Sequence, residues 1–430
     1  MKLYLAYKKQ FKIFLLIVLV FLPFVFSYAQ TAVELNNKIN QKNNDIAALE
    51  KEIKQYQLQL DALGKQKSSL NGSIKELDLT RKKLVADMNI TQNKIDQTNF
   101  KIQGLSFQIG DKEEIIQNNT EAIKIDIRKI NEIELDSITE KLLSEVKISD
   151  VWNDIDNMVT VRNKIRQNII DLKQVKNELE FTKKKTTDAR NELVSLKNEL
   201  ADQKKIVVQN TNDKKKLLAQ TKNNEANYQK LLKDRLAKKD AFEKDLRDYE
   251  SQLKYILDPL KLPGSGVLSW PLDYIYITQL FGKTEAGKRL YASGSHNGED
   301  FRAPVGTPVK AMADGIVAGI GDTDLQCPGV SFGRFVLIKY DNGLASTFGH
   351  FSLIKVKTGE RVSRGQIVGY SGNTGYSTGP HLHVSVYARD AVNLQTLPSK
   401  SCPGHVLTQP ISPINAYLDP SYYLPPYKKP

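Results

Sequence analysis

Ser377-Thr-Gly-Pro-His381-Leu-His383-Val-Ser-Val386 is the stretch on which the reading of the C-terminal region turns. A glycine-rich turn leads into an apolar run, the pattern of a strand entered from a turn. Side chains alternate along a strand, so His381 and His383 point to one face and their imidazoles look into the same cavity. Short β-rich runs separated by glycine-containing turns accompany them: Tyr274 to Leu280, Gly315 to Ile320, Arg334 to Tyr340 and Val362 to Tyr370. These predict a compact antiparallel β domain over residues 269–388.

Histidine is scarce, and four of the five in the chain (His296, His350, His381 and His383) fall between Ser295 and Val384. His296 and Asp300 are four apart, and Gly294 and Gly298 argue against a helix there, so a loop-to-strand passage presents both to one side. A hydrolytic zinc site takes three N or O ligands and keeps a fourth position open. Three of His296, Asp300, His381 and His383 meet that need, and spacing does not say which three. The remaining histidine and His350 are then candidates for general base and oxyanion donor. The chain has no His-Glu-x-x-His helix and no nucleophile elbow around Ser371 or Ser377. His405, beside Cys402, reads as a surface residue.

Upstream the pattern changes. No proline occurs from Thr31 to Asp258, and apolar residues recur by alternating threes and fours, as in Ile46, Leu49, Ile53, Tyr56, Leu60 and Leu63, and again from Leu172 to Ile256. Two such runs flank an irregular apolar cluster around Trp152, which predicts an antiparallel coiled-coil hairpin over 30–258 with a small helical head near 135–161. Each arm would be about 150 Å long, with Gly64, Gly72, Gly104 and Gly110 softening the first. Trp152 and its neighbours read as the core of that head, with a partner-binding patch as the rival, and a parallel homodimer is the alternative to the hairpin. The expected class is therefore α+β multidomain. A linker spans 259–268, and an extension over 389–430 packs on the β domain.

Lys2, Lys8, Lys9 and Lys12, an apolar core from Phe14 to Phe26 and Ser27-Tyr28-Ala29 read as a signal peptide over 1–29. Pro23 and the short apolar run disfavour a membrane anchor. Cys327 and Cys402 are the only cysteines, and an even count in an exported chain predicts a disulfide. The formal net charge of +13 points to polyanions, which outside the cytoplasm are wall polymers, glycans or lipid head groups and not nucleic acid.

Ser295-His-Asn-Gly-Glu-Asp-Phe-Arg-Ala-Pro-Val-Gly-Thr-Pro-Val309, with Ala313-Asp-Gly-Ile-Val317, Phe348-Gly-His350, Gly359 to Gln366 and Gly372 to His383, resembles the lysostaphin/LytM family of zinc metallopeptidases. The resemblance implies zinc ligands at His296, Asp300 and His383, with His350 and His381 assisting catalysis. It also implies a groove on an antiparallel sheet and cleavage of peptide bonds in peptidoglycan stems or cross-bridges. Phe348 replaces a usual tyrosine and Val384-Ser385 a usual Phe-Glu, departures that touch ligand orientation. A coiled coil ahead of such a domain is similar in layout to the murein hydrolase activators of the division machinery, many of which have lost zinc ligands. This chain keeps the full set. The expectation is an exported zinc endopeptidase of the periplasm or cell envelope, with a non-catalytic activator as the alternative. The helical region would control the site by lying across the groove until a membrane-protein partner engages it.

Overall fold

The structure is a computed structural model and describes residues 32–427 apart from 64–65, 67, 136–147, 254, 256–257, 259–261, 284–294 and 400. The expected signal peptide lies outside the described residues, as does the part of the expected head from 136 to 147. Among the described residues no helix is long and apolar enough to cross a membrane. The chain divides into two units, one of residues up to Ala47 with Gln92–Lys197, the other of Ala48–Thr91 with Asn198–Pro430.

Among the described residues four long helices precede the β region: α1 Ala32–Ala62, α2 Leu70–Leu135, α3 Ile148–Thr221 and α4 Glu225–Gln252. In the first unit Lys101 pairs with Glu192 at 4.0 Å and Lys112 with Glu178 at 2.6 Å, so rising numbers on α2 meet falling numbers on α3. In the second unit Lys214 reaches Asp78 at 2.7 Å in the same antiparallel sense. The first arm is not one continuous helix. α1 turns back on α2: Lys42 pairs with Asp96 at 2.9 Å in the first unit, and Leu60 and Leu63 pack on Leu79 in the second. Gly64 and a polar run follow Leu63, and Ser69 caps α2, its hydroxyl accepting from the Gly72 amide at 3.1 Å. A second break separates α3 from α4. Lys222 and Asn223 hold φ of 49° and 53°, and the Asn224 side chain caps α4 through the Asn227 amide. Trp152, on α3, is 66% exposed.

The β region consists of β1 Ile277–Gln279, β2 Glu299–Arg302, β3 Pro308–Lys310, β4 Gly315–Asp322, β5 Arg334–Tyr340, β6 Leu344–Gly349, β7 Phe351–Ile354, β8 Arg361–Val362, β9 Ile367–Ser371, β10 His381–Ala388, β11 Asn393–Pro398, β12 Val406–Ile411 and β13 Tyr417–Leu418. The main sheet runs β1-β2-β10-β6-β5-β4-β8, with β13 also on β10, and every pairing is antiparallel. A smaller sheet β3-β9-β7 faces the same core, in which Phe301, Val336, Phe348, Phe351 and Leu382 are fully enclosed. The expected strand from Val362 to Tyr370 is two strands, because Ser363 to Gln366 forms a tight turn with Gly365 at φ 83°. β11 and β12 form a hairpin joined to the loop after β4 by the Cys327–Cys402 disulfide, with Cα atoms 6.0 Å apart. The last short helix, α5 Pro420–Tyr423, delivers Tyr423 and Leu424 into the main core.

Candidate metal centre

The neighbouring strands β2, β10 and β6 build the site. Their register sets His383 opposite Asp300 on one side and Gly349 on the other. His296 enters from the loop before β2, tied by a two-way backbone bridge to Gly282. The three sequence-expected ligands converge. His383 Nδ1 lies 2.9 Å from Asp300 Oδ1 and 3.2 Å from His296 Nε2, and His296 Nε2 is 3.4 Å from the same Asp300 oxygen. Among the described residues this trio is the one group of histidine, cysteine or acidic side chains whose ligand atoms all lie within 4.8 Å. Gly298 makes the approach possible, since a Cβ there would stand 2.5 Å from the Val384 carbonyl oxygen and 2.7 Å from His383 Nε2.

Each ring has its outward nitrogen engaged. His296 Nδ1–H donates to the Leu280 carbonyl at 3.2 Å, leaving Nε2 for the centre, and His383 Nε2 meets Ser385 Oγ at 2.9 Å, leaving Nδ1. His381 Nδ1–H donates to the Gly379 carbonyl at 2.8 Å and His350 Nδ1–H to that of Thr374 at 2.7 Å, so both turn Nε2 inward. Their rings stand 4.5 Å apart, and His381 Nε2 is 3.6 Å from Asp300 Oδ1. His350 holds φ of 63°, a left-handed conformation that costs a non-glycine residue and places its ring over the site.

Burial alone would raise the Asp300 carboxyl, but His381, His296 and His383 hold it well below the ordinary carboxylate range. Burial pushes His350 well below the usual imidazole range, and His381 and His383 push it further. Burial lowers His383 as well, against the opposing pull of Asp300. These shifts leave an ionised oxygen donor on Asp300 beside a neutral His383 imidazole, the protonation a divalent cation requires.

Residues 294–394 match peptidase family M23. Over 27% of its length the chain is 33% identical to the catalytic domain of the antimicrobial peptidase lysostaphin from Staphylococcus simulans, covering 81% of that chain with a TM-score of 0.24. Residues 294–394 form a peptidase family M23 domain. The peptidoglycan DD-endopeptidase ShyA of Vibrio cholerae is 44% identical over 94 residues, 22% of this chain and 20% of that protein. The glycyl-glycine endopeptidase ALE-1 of Staphylococcus capitis is 46% identical over 90 residues, 21% of this chain and 24% of that protein. The chain thus spans between a fifth and a quarter of the length of these relatives.

One wall of the M23 site comes from outside the matched residues. Lys239, Phe242, Leu246 and Glu250 lie three or four apart on α4, so they share a face, and that face lines a cavity of about 370 Å³ together with His350 and His381. Phe242 packs with Cys327, Val330 and Leu407, and Leu246 and Cys402 each border that cluster. Glu250 accepts from Tyr417 Oη at 2.8 Å and the Ser412 amide at 3.3 Å, and Tyr249 donates to Gln395 at 2.9 Å. The buried Lys239 ammonium stands 4.8 Å over the Tyr376 ring and 3.3 Å from Glu243. Sequence reasoning placed Ser385 among the departures that touch ligand orientation, and it missed the three carbonyl partners and the α4 face. The carbonyls leave no trace in side-chain identity.

Proposed function

We propose that the chain is an exported zinc metalloendopeptidase that hydrolyses peptide bonds of peptidoglycan stems or cross-links in the periplasm or cell envelope. The observation that carries this reading is the convergence of His296 Nε2, Asp300 Oδ1 and His383 Nδ1, two nitrogens and an oxygen within 4.8 Å of one another. That donor set, with each ring anchored through its other nitrogen, fits zinc. When bound, zinc polarises a scissile carbonyl and makes water a nucleophile at neutral pH. The rest falls to the chain's own residues. His350, kept neutral by burial, presents a basic Nε2 that accepts a proton, and Thr374 fixes that tautomer through Nδ1. His381 presents Nε2 beside it and supplies a proton or a hydrogen bond to developing negative charge. Names of relatives such as peptidoglycan DD-endopeptidase ShyA support a wall peptide as substrate.

In the same reading α4 restrains the enzyme. Its apolar stripe lines the cavity beside His350 and His381, so a bulky wall strand reaches the histidines only when α4 withdraws. The release signal would come from a membrane-protein partner acting on the helical region, where Trp152 and Val159 are exposed apolar residues on α3. The rival, a non-catalytic activator of separate murein hydrolases, also uses an α4 that moves but has no use for the donor set.

The deciding experiment incubates the zinc-loaded full chain, and a Phe242→Asp form expected to free α4, with purified wall, and identifies released fragments by mass spectrometry. Stem or cross-link peptides from the Phe242→Asp form support the enzyme. Bound zinc with every wall type left intact supports the activator.

A further inference from the structure

His383 is exceptional among the three donors because it turns Nδ1 inward, which puts its Nε2 deep in the sheet. There it meets a single side chain. Ser385 follows His383 by two on β10, on the same face, and is opposite Thr347 on β6. All three are buried, Ser385 and Thr347 completely. An imidazole N–H left unpaired in such a place costs about 1–3 kcal/mol. It also leaves the ring free to flip about its last torsion, which would put a carbon where the metal-facing nitrogen stands.

We infer that Ser385 is a positioning residue of the metal centre: its hydroxyl accepts from His383 Nε2–H, which fixes the ring and commits the Nδ1 lone pair to the metal. The inference rests on the zinc reading above. One further observation favours a serine here. The buried hydroxyls of Tyr387 and Thr347 stand beside it without a hydrogen bond of good geometry, so the Ser385 proton has an oxygen to turn toward while its own lone pair serves the histidine.

The test compares the full chain with Ser385→Ala and Ser385→Thr. Zinc affinity is read by competition with a chromogenic chelator. The protonated nitrogen of each of the five histidines is read by long-range proton–nitrogen spectra of zinc-loaded, ¹⁵N-histidine-labelled protein. Loss of the hydroxyl is expected to weaken zinc binding by about 10–100-fold and to broaden or shift the His383 Nε2 signal alone. Ser385→Thr, which keeps the hydroxyl on a strand-favouring residue, restores both. Unchanged melting of the metal-free proteins locates the loss at the site, and if Ser385→Ala does not fold, Ser385→Thr against Ser385→Val carries the same comparison. Wild-type affinity and an unchanged His383 signature in Ser385→Ala, or a Thr variant as weak as Ala, overturns the proposal while leaving the zinc reading intact. A wild-type chain that takes up no zinc overturns both.

Discussion

The floor and the wall of the cavity are held in different ways. On the floor, His296, Asp300 and His383 are set by the register of β2 and β10, and every histidine spends one nitrogen on a fixed partner. The wall is one face of α4, attached by Phe242 in a small apolar cluster, by Leu246, and by a few hydrogen bonds from Tyr249 and Glu250. Moving a donor means breaking strand pairing, whereas moving α4 means vacating a few side-chain contacts. The donors are held by the sheet itself and the wall by side-chain contacts alone.

The comparison breaks first if the floor is disturbed. Asp300→Ala or His296→Ala should cost more zinc affinity than the roughly 100-fold that removing an outer partner costs, with activity lost in parallel. Gly298→Ala should do the same without replacing a donor, because its methyl would collide with the Val384 carbonyl and the His383 ring; such overpacking costs about 1–3 kcal/mol in stability. Metal content by mass spectrometry and the melting temperature read both. Next, His350→Ala or His381→Ala should keep zinc while the turnover number falls about 10²–10⁴-fold, which steady-state kinetics with a synthetic wall peptide will register.

How far these features were legible in the sequence follows the same division. His296, Asp300, His350, His381 and His383 stand out because histidine is rare in the chain and because the two-residue period of a strand sets the last pair on one face. The β class and the antiparallel helices were legible for similar reasons of period. The fold-back of α1 was not, since a seam of threes and fours looks alike whether it packs on a distant arm or on the next helix. The turn at Lys222 and Asn223 was hidden too, having neither glycine nor proline; Asn224 as a helix cap is the one signal it leaves. Nor does a sequence show that the α4 stripe faces a cavity, because an apolar stripe does not name its partner.

The wall offers smaller effects that sharpen the contrast. Phe242→Asp removes burial worth about 1.5–3 kcal/mol, so the fraction of molecules with α4 withdrawn should rise about 10–100-fold, with zinc affinity unchanged; hydrolysis by the full chain should rise accordingly. Equal rates in the two proteins would remove restraint by α4. The smallest effect concerns pH. Burial raises the Glu250 carboxyl to about 7, partly opposed by its bonds from Tyr417 and Ser412. A seated helix therefore favours the protonated acid. That contribution is fully present below the free carboxyl value of 4.5 and is lost as pH rises through about 7. Across that window the rate of the full chain relative to Phe242→Asp should climb, by less than the effect of Phe242 itself, and Glu250→Gln should flatten the climb.

The match to peptidase family M23 ends at residue 394, whereas Gln395, Leu407, Ser412 and Tyr417, which meet α4, all follow it, alongside Cys327, Val330 and Tyr376 from within it. Every hydrogen bond described between α4 and the β region is thus written outside the stretch that carries the donors. A change confined to the tail would alter how tightly the helix is held without altering a donor. Tails of different sequence on a constant set of donors would give a series of proteins with one site and a different hold on its wall.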